Sequence, residues 1–368
     1  MSATPLSSGI APAPATVASS SRSLSEAITS FPSVPGYLSA CTLGLPTTAS
    51  VEALRADLAS WTTATTDAAA YGKTIERTRA AYASLVHAPL ASVAIGSQTS
   101  AMVSLIAASA PDGAEILCVD GDFSSLVAPF LVHADRGVRV RHVPIDDLAE
   151  AVDQHTWLVA FSIVQSATGR IVDHGAVVAA ARANDALTLC DLTQAAGWLP
   201  VDASQFDATV CHAYKWLCSP RGVAFLTVGP SMLDIIRPIQ AGWYSGDDVW
   251  ASCYGPSLHL AADARRFDVS PAWQAWVGAA PAIELFASLD HTAVHRHAVA
   301  LGNAMSIGLG LDPHDQAIVT WPDQDGSELA RLTAAGITAS GRAGRARVAF
   351  HLWNTEDDVT AALRALGR

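Results

Sequence analysis

Residues 186–228, ALTLCDLTQAAGWLPVDASQFDATVCHAYKWLCSPRGVAFLTV, decide the fold. Three apolar runs, Ala186–Cys190, Ala208–Cys211 and Gly222–Val228, are separated by Gly-, Pro- and Asp-containing segments. Runs of that length and composition predict buried strands. The first ends on Asp191, at the C-terminal strand end where α/β sheets place ligands. The second leads through His212 and Tyr214 to Lys215, one of only two lysines in 368 residues, the other being Lys73. All remaining side-chain positive charge is arginine. A solvated lysine would drift to arginine at little cost, but chemistry needing a primary amine cannot, because a guanidinium stays protonated and forms no Schiff base.

Outward from this stretch the pattern alternates. Strands are predicted at SVAIGS (92–97), AEILCVD (114–120), RVRHVPI (139–145) and TWLVAFSIV (156–164), with helical patterns between them. That alternation predicts a mostly parallel sheet covered on both faces. Helical patterns precede it, from residue 51 to residue 84 and over residues 24–31, with a cap at Thr48 or Ser50. Beyond it, AIVTWP, ITASGR and ARVAFHLW read as strands, and TEDDVTAALRALG as a helix with Thr355 as N-cap and acids in its first turn.

The order Asp191, Gln194, Gly197-x-x-Pro200-x-Asp202 and then Tyr214-Lys215 resembles the class V aminotransferase group of fold type I pyridoxal phosphate (PLP) enzymes. That group includes cysteine desulfurases, kynureninases and isopenicillin N epimerase-like proteins. The resemblance implies an α/β fold with a smaller α+β C-terminal domain. It divides the chain into a tail (1–22), an N-terminal helical segment (23–84), a large PLP-binding domain (85–256) and a small domain (257–368). It implies that Lys215 carries PLP and that Asp191 faces the pyridinium nitrogen, keeping the ring an electron acceptor.

Other site residues follow from the same resemblance. Gln98 and Thr99, in a Gly-Ser-Gln-Thr-Ser turn before a helix, match the phosphate-binding turn, and free N–H groups at a helix start suit a phosphate. His212 and Tyr214 match phosphate-contacting positions, Phe123 the residue stacked on the ring, and Ser166 and Gln194 polar groups near the cofactor. Arg347, opening the GRARVAFHLWNTEDDV segment, matches the arginine that grips the substrate carboxylate in a bidentate contact. Trp243 and Ser270, with Arg265 or Arg266, match segments that cross to the neighbouring site in homodimers, and the four tryptophans 243, 250, 273 and 276 favour burial at such an interface. Read without the resemblance, each has a plainer role: a cap, a core aromatic, an edge arginine.

Composition excludes other classes. With 15% charged residues and a net charge of −12, the chain lacks the basic footprint of a nucleic-acid or anionic-membrane binder. Six scattered cysteines without metal-ligand spacing read as reduced core thiols. No stretch approaches the roughly 18 apolar residues of a membrane span, and the N-terminus does not read as a signal peptide, so a cytoplasmic protein is expected. No cysteine follows Cys253, which sets aside the desulfurase persulfide mechanism. The shortened SGRAGRARV loop, with the Gly-Trp-Tyr and Arg-Arg-Phe-Asp segments, is similar to C–S-cleaving enzymes of the ergothioneine pathway and to lincosamide-tailoring enzymes. The expected reaction is therefore β-elimination from an S-conjugated cysteine. Decarboxylation-linked oxidative deamination and transamination are the alternatives.

Overall fold

The structure, a computed structural model, describes residues 22–368; the expected tail, apart from Arg22, lies outside the described residues. Its centre is a seven-stranded sheet of β1 (Val93–Gly96), β2 (Glu115–Val119), β3 (Arg139–Val143), β4 (Thr156–Ser162), β5 (Leu187–Asp191), β6 (Ala208–His212) and β7 (Ala224–Val228). The spatial order is β1-β7-β6-β5-β4-β2-β3. Strands β3, β2, β4, β5 and β6 run parallel, and only β7 is antiparallel to its neighbours, so the sheet is mostly parallel as the alternation predicts.

The inner strands are largely apolar because both faces are covered, whereas the edge strand β3 (RVRHV) is partly exposed. On one face Phe161 and Phe225 meet Ile75 and Tyr82 of α3 (Ala68–Leu85), Val177 of α6 (His174–Ala183) and Ile283 and Phe286 of α8 (Trp273–Ala287). On the other, Leu158, Leu189, Val210 and Leu226 meet Met102 and Ile106 of α4 (Thr99–Ser109) and Leu126 and Phe130 of α5 (Ser124–Leu131). Phe225 and Leu226 are adjacent yet face opposite cores, as the two-residue strand period requires. The short helix α1 (Leu24–Ile28) and α2 (Thr48–Thr62) precede α3. The cap of α2 is Thr47, whose Oγ1 accepts the Ser50 N–H at 3.0 Å, one residue before the expected position.

A three-stranded antiparallel sheet of β8 (Ile318–Pro322), β10 (Arg345–Ala349) and β9 (Ser340–Arg342) follows, with α9 (His291–Gly308), α10 (Ser327–Ala334) and α11 (Glu356–Ala365) around it; α7 (Pro230–Leu233) trails β7. Thr355 caps α11 as expected, its N–H donating to Asp358 Oδ2 at 3.0 Å. Two close approaches lock this sheet to the large one. Gly169 has φ +76°, and a Cβ there would lie 2.3 Å from the Ile318 carbonyl, so only glycine lets the loop after β4 touch β8. The segment after α1 pairs with the small sheet, Ala349 N–H donating to Leu38 O at 2.9 Å, and then reaches the lysine loop, Gly44 N–H donating to Tyr214 O at 2.9 Å.

The tryptophan expectation is corrected in part. Trp276 is buried in the chain's own core, edge-on to Phe225, and Trp273 stacks on Tyr71 at 4.8 Å. Successive turns of α8 therefore pack two of the four within one chain. Trp243 is half-buried and Trp250 remains 54% exposed. No helix among the described residues is long and apolar enough to cross a membrane.

Candidate active site

The C-terminal ends of β4, β5 and β6 converge on Lys215, which lies in the loop after β6 and is only 4% exposed. Among the described residues its Nζ has no hydrogen-bond or ion-pair partner; it lies 5.2 Å from the Phe123 ring centroid and 5.6 Å from that of Tyr214. Burial in this apolar setting pushes the amine down to about 8, although the Asp191 charge opposes the shift. Gly44 holds the backbone of Lys215: a Cβ there would sit 2.1 Å from the lysine carbonyl.

Asp191 closes β5 and is 2% exposed, its Oδ1 accepting the Thr193 N–H at 2.8 Å. Burial pushes its carboxyl up to about 6, opposed by the Thr193 hydrogen bonds and by Lys215. A second, half-buried acid, Asp122, accepts the Ser162 N–H at 2.8 Å and the Ser162 hydroxyl at 2.6 Å, and thereby fixes the start of the Phe123 turn. The sequence reading passed over it, although an acid beside the strand end of β2 was visible.

The turn expected to bind phosphate lies at the start of α4, facing the segment after β5. Gln98 is the N-cap of α4 with no side-chain cap bond, and buried Thr99 faces Thr193 across the site at 3.5 Å between hydroxyl oxygens. His212 donates its backbone N–H to Thr193 Oγ1 at 3.0 Å, but among the described residues its buried Nε2 has no partner. Burial, reinforced by the charges of Arg221 and Lys215, lowers this imidazole to about 4, so it is neutral. Arg221, absent from the sequence prediction, lies 4.5 Å over the Tyr214 ring. An orphaned imidazole, a nearby guanidinium and uncapped N–H groups at the start of α4 fit a phosphate, and a partnerless amine beside a buried acid fits the pyridoxal ring. The residues present therefore fit PLP.

Arg347, on β10, is 1% exposed. Its Nε donates to Ser340 Oγ at 3.1 Å, Nη1 to the Ser166 carbonyl and to Ser166 Oγ at 3.1 Å, and Nη2 to Thr42 Oγ1 at 3.1 Å. Among the described residues no carboxylate pairs with it, so a full positive charge is buried against neutral oxygens. Cys41 is a free, buried core thiol as expected, and it also sits beside Arg347 and within electrostatic reach of Lys215, because the chain after Leu38 crosses the site before turning at Gly44. The other cysteines are buried, apart from half-buried Cys253.

Four predicted residues are not brought to this cluster within one chain. Trp243 lines a separate cavity of about 100 Å³ with Glu76, Trp250 and Trp273. Arg266 donates to the Ala261 carbonyl at 3.0 Å, Arg265 pairs with Asp263, and Ser270 is exposed. The larger cavity, about 440 Å³, opens at the opposite ends of β5 and β6, between Arg182, Asp207 and Ser231, away from Lys215. Among the described residues no group of three or more His, Cys, Asp or Glu is placed to hold a metal ion.

Comparison with known proteins agrees with this geometry. An uncharacterized aminotransferase, YcbU, of Bacillus subtilis is 26% identical over 312 residues, covering 78% of this chain and 83% of its own length. Isopenicillin N epimerase of Amycolatopsis lactamdurans is 27% identical, covering 74% of this chain and 79% of its own. Kynureninase of Deinococcus radiodurans is 30% identical, covering 61% and 57%. Among solved structures, a cystine C–S lyase in complex with cysteine persulfide superposes with a TM-score of 0.81 at 21% identity, over 90% of this chain and 97% of that one. Residues 49–343 match the family described as aminotransferase class-V. With most of the chain inside that match, and with the sheet and flanking helices of fold type I, the protein belongs to the class-V aminotransferase family and is a PLP-dependent enzyme.

Proposed function

We propose that the enzyme cleaves the C–S bond of an S-conjugated cysteine by β-elimination, in the biosynthesis of a small molecule. The observation that carries the reading is Arg347: a buried cation with no acid partner, held beside the lysine amine, is built to receive a carboxylate. Lys215 and Asp191 would hold PLP, with Thr99, the N-terminus of α4, His212 and Arg221 at its phosphate. When bound, the cofactor supplies an electron sink for the negative charge left at Cα.

The chain's residues then divide the work. Arg347 grips the α-carboxylate with its planar fork and fixes the orientation of the amino acid. Lys215, with an amine near 8, takes the Cα proton at neutral pH. Asp191, ionised above about 6, keeps a positive charge in place at the ring nitrogen. Phe123 covers the amine from one side and limits water. Departure of the β-thiolate, its protonation to a thiol and hydrolysis of the remaining enamine give thiol, pyruvate and ammonia. The named activity of the fold neighbour, cystine C–S lysis, supports this branch. We further assign the exposed Ser270, with Trp243 and Arg266, to the site of a second copy, consistent with the 54% exposure of Trp250 beside Trp243.

The test is incubation of the PLP-loaded enzyme with an S-alkyl cysteine. Thiol with stoichiometric pyruvate and ammonia is the expected result. Accumulation of the pyridoxamine form without thiol would establish transamination instead, and CO2 release with oxygen uptake would establish oxidative deamination. A monomer by analytical ultracentrifugation would remove the assignment of Ser270, Trp243 and Arg266.

A further inference from the structure

Three arginines share one face of the small sheet. In the pairing of β9 with β10, Arg342 lies opposite Arg345 and Ser340 opposite Arg347, and residues two apart on a strand point the same way. Arg342, Arg345 and Arg347 are therefore on a common side. That side turns toward the large domain: Ser340 Oγ accepts Arg347 Nε at 3.1 Å, and Thr320, opposite Arg347 on β8, donates its hydroxyl to the Thr168 carbonyl at 3.3 Å. The other side, with Ala346 and Val348, packs on the helices of the small domain. Exposure rises along the strip, from buried Arg347 through half-buried Arg345 to exposed Arg342. At its inner end Gln194 Nε2 donates at 2.9 Å to the Ser166 oxygen that Arg347 also reaches.

The arrangement is unfavourable by itself. Like charges directly opposite in an antiparallel pair repel, and Arg342 and Arg345 are such a pair. The turn joining them is Ala343-Gly344, with φ of +49° and +70°, the two left-handed positions of a type I′ hairpin, and an alanine adopts the first only under strain. Among the described residues no carboxylate pairs with any of the three, in a chain whose net charge is −12. Thr320 holds Arg345, accepting Nε at 3.1 Å on its hydroxyl and Nη2 at 3.0 Å on its carbonyl, so Nη1 is left over. Arg342 uses only Nη1, on the Gly341 carbonyl at 2.6 Å, which leaves Nε and Nη2 free. Burial does most to lower the Lys215 amine and the Arg347 guanidinium, and the charge of Arg342 adds to both, so Arg342 lies within electrostatic reach of the site.

We propose that Arg342, with Arg345 behind it, binds a second anionic group of the substrate: a carboxylate carried by the sulfur substituent, beyond the α-carboxylate held at Arg347. The substrate class is then an S-(carboxyalkyl)cysteine and not a neutral thioether. Arg345 is two strand positions from Arg347, about 7 Å along the backbone, a distance that a short substituent on sulfur spans. The proposal rests on the reading that the site takes an S-conjugated cysteine. Strain and repulsion at the hairpin are then the cost of presenting donors to a ligand.

The probes are S-(2-carboxyethyl)cysteine and its amide, S-(2-carbamoylethyl)cysteine, which share a shape and differ by one charge. For each, the dissociation constant is read from the change in the visible band of the PLP-loaded enzyme on rapid mixing, and kcat/KM from pyruvate release. Wild type is expected to favour the acid roughly tenfold, and less at high salt because the outer arginine is exposed. Arg342→Gln should lose most of that preference, and Arg342→Lys, which keeps the charge, should retain most of it. Equal affinity of the wild type for acid and amide, or a preference unchanged in Arg342→Gln, would overturn the proposal. So would an equal loss for both probes in Arg342→Gln, which would mean that the arginine only holds the hairpin. Preferred binding of the acid without thiol or pyruvate would sink the elimination reading and support the arginine assignment; thiol and pyruvate released equally fast from both probes would do the reverse.

Discussion

Two arginines, Arg79 and Arg347, are almost completely buried in this protein, and their removal should affect stability very differently. Arg79 on α3 is paired: its Nη2 lies 2.6 Å from Asp268 Oδ2, its Nη1 3.0 Å from Oδ1 and 2.7 Å from the Val93 carbonyl. Replacing it by methionine leaves Asp268 buried without its partner, at a cost of about 3–5 kcal/mol. Arg347 has only neutral oxygens around it, on Ser340, Ser166 and Thr42, so the folded chain bears the desolvation of its charge without an ion pair to offset it. Arg347→Met removes that cost and loses hydrogen bonds worth about 1.5–3 kcal/mol each at most, so the two effects nearly cancel in stability. Catalysis is another matter: loss of a buried carboxylate contact of about 2–5 kcal/mol lowers kcat/KM by roughly 30- to several-thousand-fold. The assays are denaturant unfolding of both apo variants and steady-state kinetics of PLP-loaded Arg347→Met. If Arg347→Met destabilises the apoprotein as much as Arg79→Met, the arginine is held for its internal hydrogen bonds and the carboxylate assignment loses its support.

Three further outcomes are expected. Lys215→Ala should lose both the visible PLP band and turnover, and retention of full turnover would refute the lysine assignment. The rate at which apoprotein takes up PLP should rise with pH through a midpoint near 8 instead of the ordinary lysine value of 10.5, since burial leaves roughly a tenth of the amine free at pH 7; a midpoint near 10 in a stopped-flow pH series would contradict this. Arg221→Gln should weaken PLP binding several-fold without moving the visible band, because it changes only the phosphate end; unchanged affinity by dialysis would remove Arg221 from that end.

The stretch around Lys215 was legible because its chemistry has no substitutes: a rare amine, an acid at a strand end, and glycines at defined offsets are each forced by a local requirement. The inner strands of the sheet were legible because burial on both faces leaves near-continuous apolar runs. What stayed hidden depends on contacts between distant segments. Nothing local marks Cys41 or Thr42 as neighbours of Arg347; that meeting requires the chain after Leu38 to pair with β10 and then cross to Tyr214. The use of Gln194 was hidden too, because an amide can donate or accept, and only Trp216 and Ser166 on either side of it decide which. Trp273 and Trp276 were placed at an interface for lack of the α8–α3 packing that covers them.

The titrations of Lys215 and Asp191 bear on why the apoprotein is poised for its cofactor. Lys215 is depressed to about 8, so its contribution to stability is present at high pH and is lost as pH falls through 8. Asp191 is raised to about 6, so its contribution is present at low pH and is lost as pH rises through 6. Between those values both groups are charged in the folded apoprotein, and burial penalises both. In that window Lys215 must release a proton before it could hold PLP, whereas Asp191 is already ionised and ready for a positive partner. Because the amine must lose its proton to take PLP, the stabilisation conferred by PLP should rise as pH rises toward 8 and level off above it. Thermal unfolding of apo and loaded protein across that range measures it, and a Tm difference independent of pH would mean that the phosphate contacts alone account for the stabilisation.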